Sequence, residues 1–287
     1  MEKKYISSGV VPITGLITTI FLGIISAVAF SLIYIVINKV IPNIWFAAIT
    51  AGFFGFAIGS SINYGLKFGK IRNMKVALSI AVFSGLFAIY TQWVIFDVLI
   101  LSEKGFTFNL DAQDIKILLQ DFIFIFSHPN ILVEDIKFFN EFGTFSIESS
   151  DTVSGILLWA VWFAEVLIVL IPTIFMVKNG VVSEPFSEVN NTWMNKRNES
   201  IIIPFVDDKD KLIREFNNNN FEALNQRISE CDSDRFAEVV VYESPKDTLR
   251  FVTINNVMII KNKANKDKVV RNPAIEKYPI IKTVFEI

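Results

Sequence analysis

Four uninterrupted apolar runs, residues 13–37, 44–66, 76–101 and 153–177, constrain this chain more than any other feature. A helix needs about 20 apolar residues to cross a hydrocarbon core about 30 Å thick. Each run reaches that length, and none contains Lys or Arg. The first is too long for a cleaved signal peptide and lacks a small-residue exit, so it is expected to remain as an anchor. Pro12 and Pro42 fall at run edges, where proline costs least. A mean hydropathy of +0.46 fits a chain that partly uses lipid as solvent. From Lys178 onward the composition is that of a water-soluble domain. The expected fold class is an α-helical polytopic membrane protein with four transmembrane helices and a small α+β C-terminal soluble domain. Its modules are residues 1–178, including an extracytoplasmic loop at 102–152, and residues 179–287.

Orientation follows from Lys and Arg in the short connections, because the richer side stays cytoplasmic. Lys3 and Lys4 precede the first run, Lys67, Lys70, Arg72 and Lys75 separate the second from the third, and Lys178, Lys196 and Arg197 follow the fourth. The opposite side has Lys39 and a long loop whose acids outnumber its lysines. Both termini are therefore expected in the cytoplasm.

Helices in lipid associate where small residues let backbones approach. Gly15, Thr19, Gly23, Ala27 and Ser31 recur every four residues in the first run, and Ala47, Ala51, Gly55, Gly59 and Asn63 do so in the second. Ala77, Ala81 and Gly85 continue the pattern in the third. These stripes hold one chain's bundle together or form a homo-oligomer seam. The fourth run, with Trp159, Trp162, Phe163 and Phe175, has little small face and is expected at the periphery or against a partner.

About 50 residues between the third and fourth runs are too many for a structureless connection. Two helices are expected there, one from Asp111 to Phe126 capped by Asn109 or Asp111, the other from Pro129 to Asn140 ended by Gly143. Their phenylalanines place the loop on the membrane surface or against the span ends. His128, the only histidine, reads as a turn residue within Ser127-His128-Pro129-Asn130.

Glu165 lies at the centre of the fourth run, a depth at which an ionisable group by default marks function. With no base in the spans, it is expected to be protonated or satisfied from elsewhere, as neutral hydrogen-bonding glue between helices, a proton or cation site, or a contact with a cationic group on a partner subunit. Matching depths along the antiparallel helices nominates Ser26, Ser60, Tyr90 and Gln92 as partners. Asp97, near the end of its run, is expected to snorkel to the interface.

In the C-terminal domain the pattern gives a strand at 201–205 and a helix capped by Asp207 and Asp208 that ends at Asn217 to Asn220. A second helix follows at 221–231, then strands at 236–243, 248–254 and 257–262 and an extended segment at 268–271. Asn255-Asn256 reads as a turn. A basic tail, Lys261, Lys263, Lys266, Lys268, Arg271, Lys277 and Lys282, forms a solvated face or rests on anionic lipid. Residues 184–193 have the outline of a metal knuckle, but Ser187 and Asn190 stand where zinc needs cysteines. The sequons at Asn190 and Asn198 lie on the cytoplasmic side and read as chance matches. A single cysteine, Cys231, excludes an intramolecular disulfide and a Cys-based zinc site within one chain.

A net charge of −2 from nearly balanced acids and bases gives no field that recruits nucleic acid. No cofactor motif or catalytic constellation is visible, and no enzyme activity is expected. The residues point to a non-enzymatic integral membrane subunit, an anchor or coupling component of a larger assembly. Its partners would be met through the fourth span, the external loop and the C-terminal domain. A channel or transporter component using Glu165 is the second reading, although inverted repeats are not visible. Richness in Asn, Ile, Lys and Phe suggests an AT-rich bacterial genome and hence the inner membrane.

Overall fold

A computed structural model describes residues 4–101, 107, 109–146, 152–197, 201–226, 234–261 and 267–281. The apolar runs form the helices α1 (Ile13–Val40), α2 (Ile44–Gly69) and α3 (Met74–Leu101), and, after two shorter helices, α6 (Gly155–Lys178). Each of the four is long and apolar enough to cross a membrane. Local chemistry sets their ends. The Asn43 side chain accepts hydrogen bonds from the backbone N–H groups of Trp45 and Phe46, so α2 starts there. Lys70 ends α2 in the left-handed region, with φ 52°. Arg72 then pairs by backbone with Gly9 and Val10, which ties the segment before α1 to the turn before α3.

Helices α1 and α6 each pack on both α2 and α3. Glycine makes this possible. A Cβ at Gly15 would overlap the backbone of Gly69, and one at Gly55 would overlap the carbonyl of Val169. A Cβ at Gly59 would lie 2.8 Å from both the Met176 Cβ and the Thr173 carbonyl, and one at Gly85 only 2.6 Å from a Leu170 methyl. Gly23 faces Ser84, while Ala27 and Ala81 are buried with no exposure. The fourth apolar helix, expected at the periphery or against a partner, is the least buried of the four long helices, yet it forms a tight seam with α2. Helix α6 lacks a small stripe because α2 supplies one, placing Gly55 and Gly59 against Val169, Thr173 and Met176.

Between α3 and α6 the chain forms α4 (Ala112–Ser127) and α5 (Pro129–Phe142), bent by 98° at His128. Asp111 caps α4 in a capping box with Asp114, Pro129 opens α5, and Gly143, with φ 81°, closes it. The pair does more than rest on span ends. Leu118, Phe122, Ile125 and Phe126 pack with Tyr90, Val94 and Val98 of α3. Phe126 also meets Phe87 edge-on at 5.9 Å. Helix α5 then crosses toward α6, where Phe139 packs against Phe96 and the Asn140 side chain donates to the Gly155 carbonyl. A short ladder, β1 (Phe145–Ser146) with β2 (Thr152–Val153), leads into α6.

The chain divides into two compact units, one of Gly9–Val182, the other of Ser183–Ile287 together with Met1–Ser8. A 3₁₀ turn, Val181–Ser183, straddles the boundary in sequence between the units, and the hairpin β3 (Phe186–Ser187) and β4 (Thr192–Trp193) follows in the second. The main sheet runs β5 (Asn195–Lys196), β7 (Arg235–Glu243), β8 (Leu249–Lys261) and β9 (Asp267–Ile281), with β6 (Ile201–Ile203) also on β7. Helix α7 (Lys209–Asn217), capped by Asp208, lays Leu212 and Phe216 on one face of this sheet. Tyr5 packs against Phe251 and donates its N–H to the Lys277 carbonyl, and Lys4 pairs with Glu276. That pairing holds the Glu276 carboxyl below the usual range.

Several expected elements differ. The segments at 248–254 and 257–262 are one continuous strand, because Asn255 and Asn256 stay paired with β7 on one side and β9 on the other. The Asn256 amide exchanges two hydrogen bonds with the backbone of Val206, doing with its side chain what a neighbouring strand would do. The extended segment at 268–271 belongs to the much longer β9, whose edge position tolerates Pro273 and Pro279. The helix expected at 221–231 is a 3₁₀ turn at Glu222–Asn225, with Cys231 outside the described residues. Lys263, Lys266, Lys282 and the sequon at Asn198 also lie outside them. In the basic tail, Arg271 pairs with Glu238, and Lys277 turns inward to the Ser183 carbonyl and Glu184.

Two glycines one turn apart test the close-packing account. A Cβ at Gly52 would meet Ile168 at an ordinary 3.9 Å, whereas at Gly55 it would strike backbone. Gly55→Ala should therefore cost about 1–3 kcal/mol in detergent unfolding, as overpacking does, while Gly52→Ala should be neutral. Equal behaviour of the two variants would contradict the packing described.

Candidate functional site

Glu165 on α6 meets two donors from two other helices. The Tyr34 hydroxyl of α1 and the Gln92 amide of α3 each donate to its Oε1, both at 2.6 Å. Helices α1 and α6 are not neighbours through the backbone, so the long phenol bridges the bundle and Gln92 closes the triangle. The Tyr34 ring stacks on Phe54 of α2 at 5.2 Å and 12°, which brings the fourth helix to the cluster and fixes the hydroxyl. Tyr34 and Gln92 are buried, whereas Glu165 is half-buried. Among the described residues, the Gln92 Oε1 has no hydrogen-bond partner.

Of the partners nominated by depth, the structure brings only Gln92 to Glu165. Ser26 donates to the Gly23 carbonyl and Ser60 to the Phe56 carbonyl, each within its own helix. The Tyr90 hydroxyl donates to the Phe126 carbonyl of α4 at 2.7 Å. The assumption that helix centres share a depth explains the miss. Matching helix centres puts Ser26 level with Glu165, but Tyr34 lies eight residues, or about 12 Å, farther along α1. The cluster thus sits nearer the ends marked by Val40, Leu101 and Gly155 than helix centring implies. A phenol in the outer part of the first run was the available signal.

The other polar groups of the long helices also serve packing. Ser31 donates to the Ala88 carbonyl, and Thr173 donates to the Gly55 carbonyl and its own Val169 carbonyl at 2.8 Å each. Thr173 follows Pro172, whose ring removes one helical N–H from α6. The Asn63 side chain accepts from the Val181 N–H. Asp97 does not snorkel. It is 1 % exposed, its Oδ1 has no hydrogen-bond partner among the described residues, and Asp135 of α5 is its neighbouring charge. The crossing of α5 over α3 covers it.

The knuckle-like segment acquires a second half in the structure. Ser187 and Asn190 form one pair separated by two residues, and Ser244 and Asp247, across the β7–β8 turn, form another. The Ser187 hydroxyl donates to Asp247 Oδ2 at 2.5 Å, and the Asn190 amide donates to the Ser244 hydroxyl at 2.7 Å and to the Pro245 carbonyl. Asn191 and Lys246, with φ 50° and 63°, make the two tight turns. Two such pairs are the spacing of a four-ligand zinc site, but one carboxylate, one amide and two hydroxyls are poor zinc ligands. Here direct hydrogen bonds pin the β3–β4 hairpin to the sheet. Among the described residues, no group of three or more His, Cys, Asp or Glu is placed to hold a metal ion.

Because Gln keeps an acceptor where Glu165 has one, Glu165→Gln should unfold in detergent close to the parent protein. Glu165→Leu strands the Tyr34 hydroxyl and the Gln92 amide, and should cost about 1–2 kcal/mol. Leucine as stable as glutamine would mean that the cluster does not hold the helices. No protein-family model, curated protein or solved structure matches this chain.

Proposed function

We propose that the chain is a non-enzymatic integral membrane subunit, an anchor or coupling component with both termini in the cytoplasm of a bacterial cell. Its four long helices cross the inner membrane, α4 and α5 lie toward the outside, and the sheet domain lies inside. One observation supports this reading above others. Several buried polar side chains of the spans bond between helices of the same chain, namely Tyr34 and Gln92 to Glu165, Ser31 to α3 and Thr173 to α2. Groups committed in this way hold a scaffold together. Partners would be reached through the exposed flank of α6, where Phe163 and Phe175 project, through α4 and α5, and through the sheet domain. The half-buried state of Glu165 and the unpartnered Gln92 Oε1 favour a second reading, a proton or cation site in a channel or transporter component.

Two measurements test the proposal. The detergent-extracted chain, purified from its native membrane, should carry a defined partner at fixed stoichiometry. A chain that elutes alone, and whose Glu165→Gln variant abolishes a proton or cation flux without unfolding, would establish the second reading instead. For topology, single cysteines at Gln113 and Lys209 in a Cys231→Ser background should label differently with an impermeant thiol reagent applied to spheroplasts. Gln113 should react and Lys209 should not; the reverse pattern would invert the orientation.

A further inference from the structure

The turn between α4 and α5 sits deep along α3. Phe126 touches Phe87 and Tyr90, which lie fourteen and eleven residues before Leu101, so the hairpin tip is about 16–21 Å along the helix from that end. From this tip the chain turns by 98° and α5 crosses α3, with Leu132 beside Val94 and Val98 and Phe139 on Phe96, until Asn140 reaches the first residue of α6. The hairpin therefore enters and leaves at one end of the bundle.

Charge follows the same gradient. Residues 122–133, Phe-Ile-Phe-Ile-Phe-Ser-His-Pro-Asn-Ile-Leu-Val, contain no Asp, Glu, Lys or Arg. Asp111, Asp114, Lys116 and Asp121 lie before this stretch, and Glu134, Asp135, Lys137 and Glu141 after it. One face of α4 packs on α3, yet the opposite face is apolar too, with Ile123 64 % and Phe124 51 % exposed. A helix that is apolar on both faces near its tip is not solvated on its free side.

The backbone at the tip is prepared for the same surroundings. A helix end leaves its last carbonyls without partners, and in hydrocarbon each such group costs several kcal/mol. Here the Phe124 carbonyl accepts from the Ser127 hydroxyl and faces His128 Nδ1 at 2.8 Å. The Ile125 carbonyl accepts from the His128 N–H, and the Phe126 carbonyl from the Tyr90 hydroxyl. The His128 carbonyl accepts from the Ile131 N–H, and Pro129 has no N–H to satisfy.

We propose that α4 and α5 form a re-entrant hairpin whose tip, residues 122–133, is immersed in the acyl chains of the outer leaflet. The occupant of its free apolar face is lipid hydrocarbon, continuous with the lipid around α3. His128 and Tyr90 act as the polar cap that makes a helix end tolerable at that depth. This inference rests on the membrane reading above.

The full chain in a Cys231→Ser background, with a single fluorophore-labelled cysteine, would be reconstituted into phosphatidylcholine vesicles with acyl chains either plain or brominated. The labelled positions are Ser127 and Ile123 at the tip, Gln113 at the open end of α4, and Phe83 on the exposed flank of α3. Both tip labels should lose fluorescence to acyl bromines as fully as the Phe83 label and resist aqueous iodide. The Gln113 label should show the opposite pattern. Tip labels quenched by iodide like Gln113, beside a Phe83 label quenched by bromine, would overturn the re-entrant hairpin and leave the membrane reading standing. A Phe83 label quenched by iodide would overturn the membrane reading, and the hairpin proposal with it.

Discussion

Backbone-to-backbone approach, made possible wherever a glycine removes the intervening side chain, is the constraint on which the helical unit depends. Where Gly15 crosses Gly69 and Gly55 crosses Val169, no side chain larger than hydrogen fits. These crossings bring α1 and α6 against different parts of the same helix, α2. Only at such separations does a tyrosine on α1 reach a carboxyl on α6, and a threonine on α6 reach a backbone carbonyl on α2. The polar bonds are thus a consequence of close packing, and they fix its register. Dispersion alone would allow the helices to slide, since one apolar surface resembles another.

The same economy of polar groups recurs beyond the spans. Tyr90 satisfies the end of α4, and Asn256 substitutes for a strand against Val206. The quartet Ser187, Asn190, Ser244 and Asp247 joins two turns. Each device places one side chain against a backbone or side-chain group that local structure leaves over. In the proposed membrane setting the first device matters most, because an unpaired carbonyl there has no water to turn to.

Much of this was readable from the residues, and the failures have physical causes. Four-residue spacing identified the small faces of α1, α2 and α3, but a glycine marks a face without naming its neighbour. Gly69, the partner of Gly15, lay beyond the expected end of its run. Glu165 stood out as the lone carboxyl of the fourth run, and depth found Gln92. It missed Tyr34 because the bonded positions on α1 and α6 do not lie at matching distances from their helix centres. The first half of the knuckle was visible at Ser187 and Asn190. The second half, at Ser244 and Asp247, was not, because pairing between distant turns is a tertiary property. Asn255-Asn256 carried turn chemistry that two flanking strands overrode.

Glu165 is held by its own chain, with Tyr34 as the bond across the bundle. A double-mutant cycle measures that bond directly, using the unfolding free energies in detergent of Tyr34→Phe, Glu165→Leu and the double variant against the parent. A coupling of about 0.6 kcal/mol, and at most about 1.7 kcal/mol, is expected, as for other hydrogen bonds between membrane helices. Losses that simply add, with no coupling between the two positions, would contradict it.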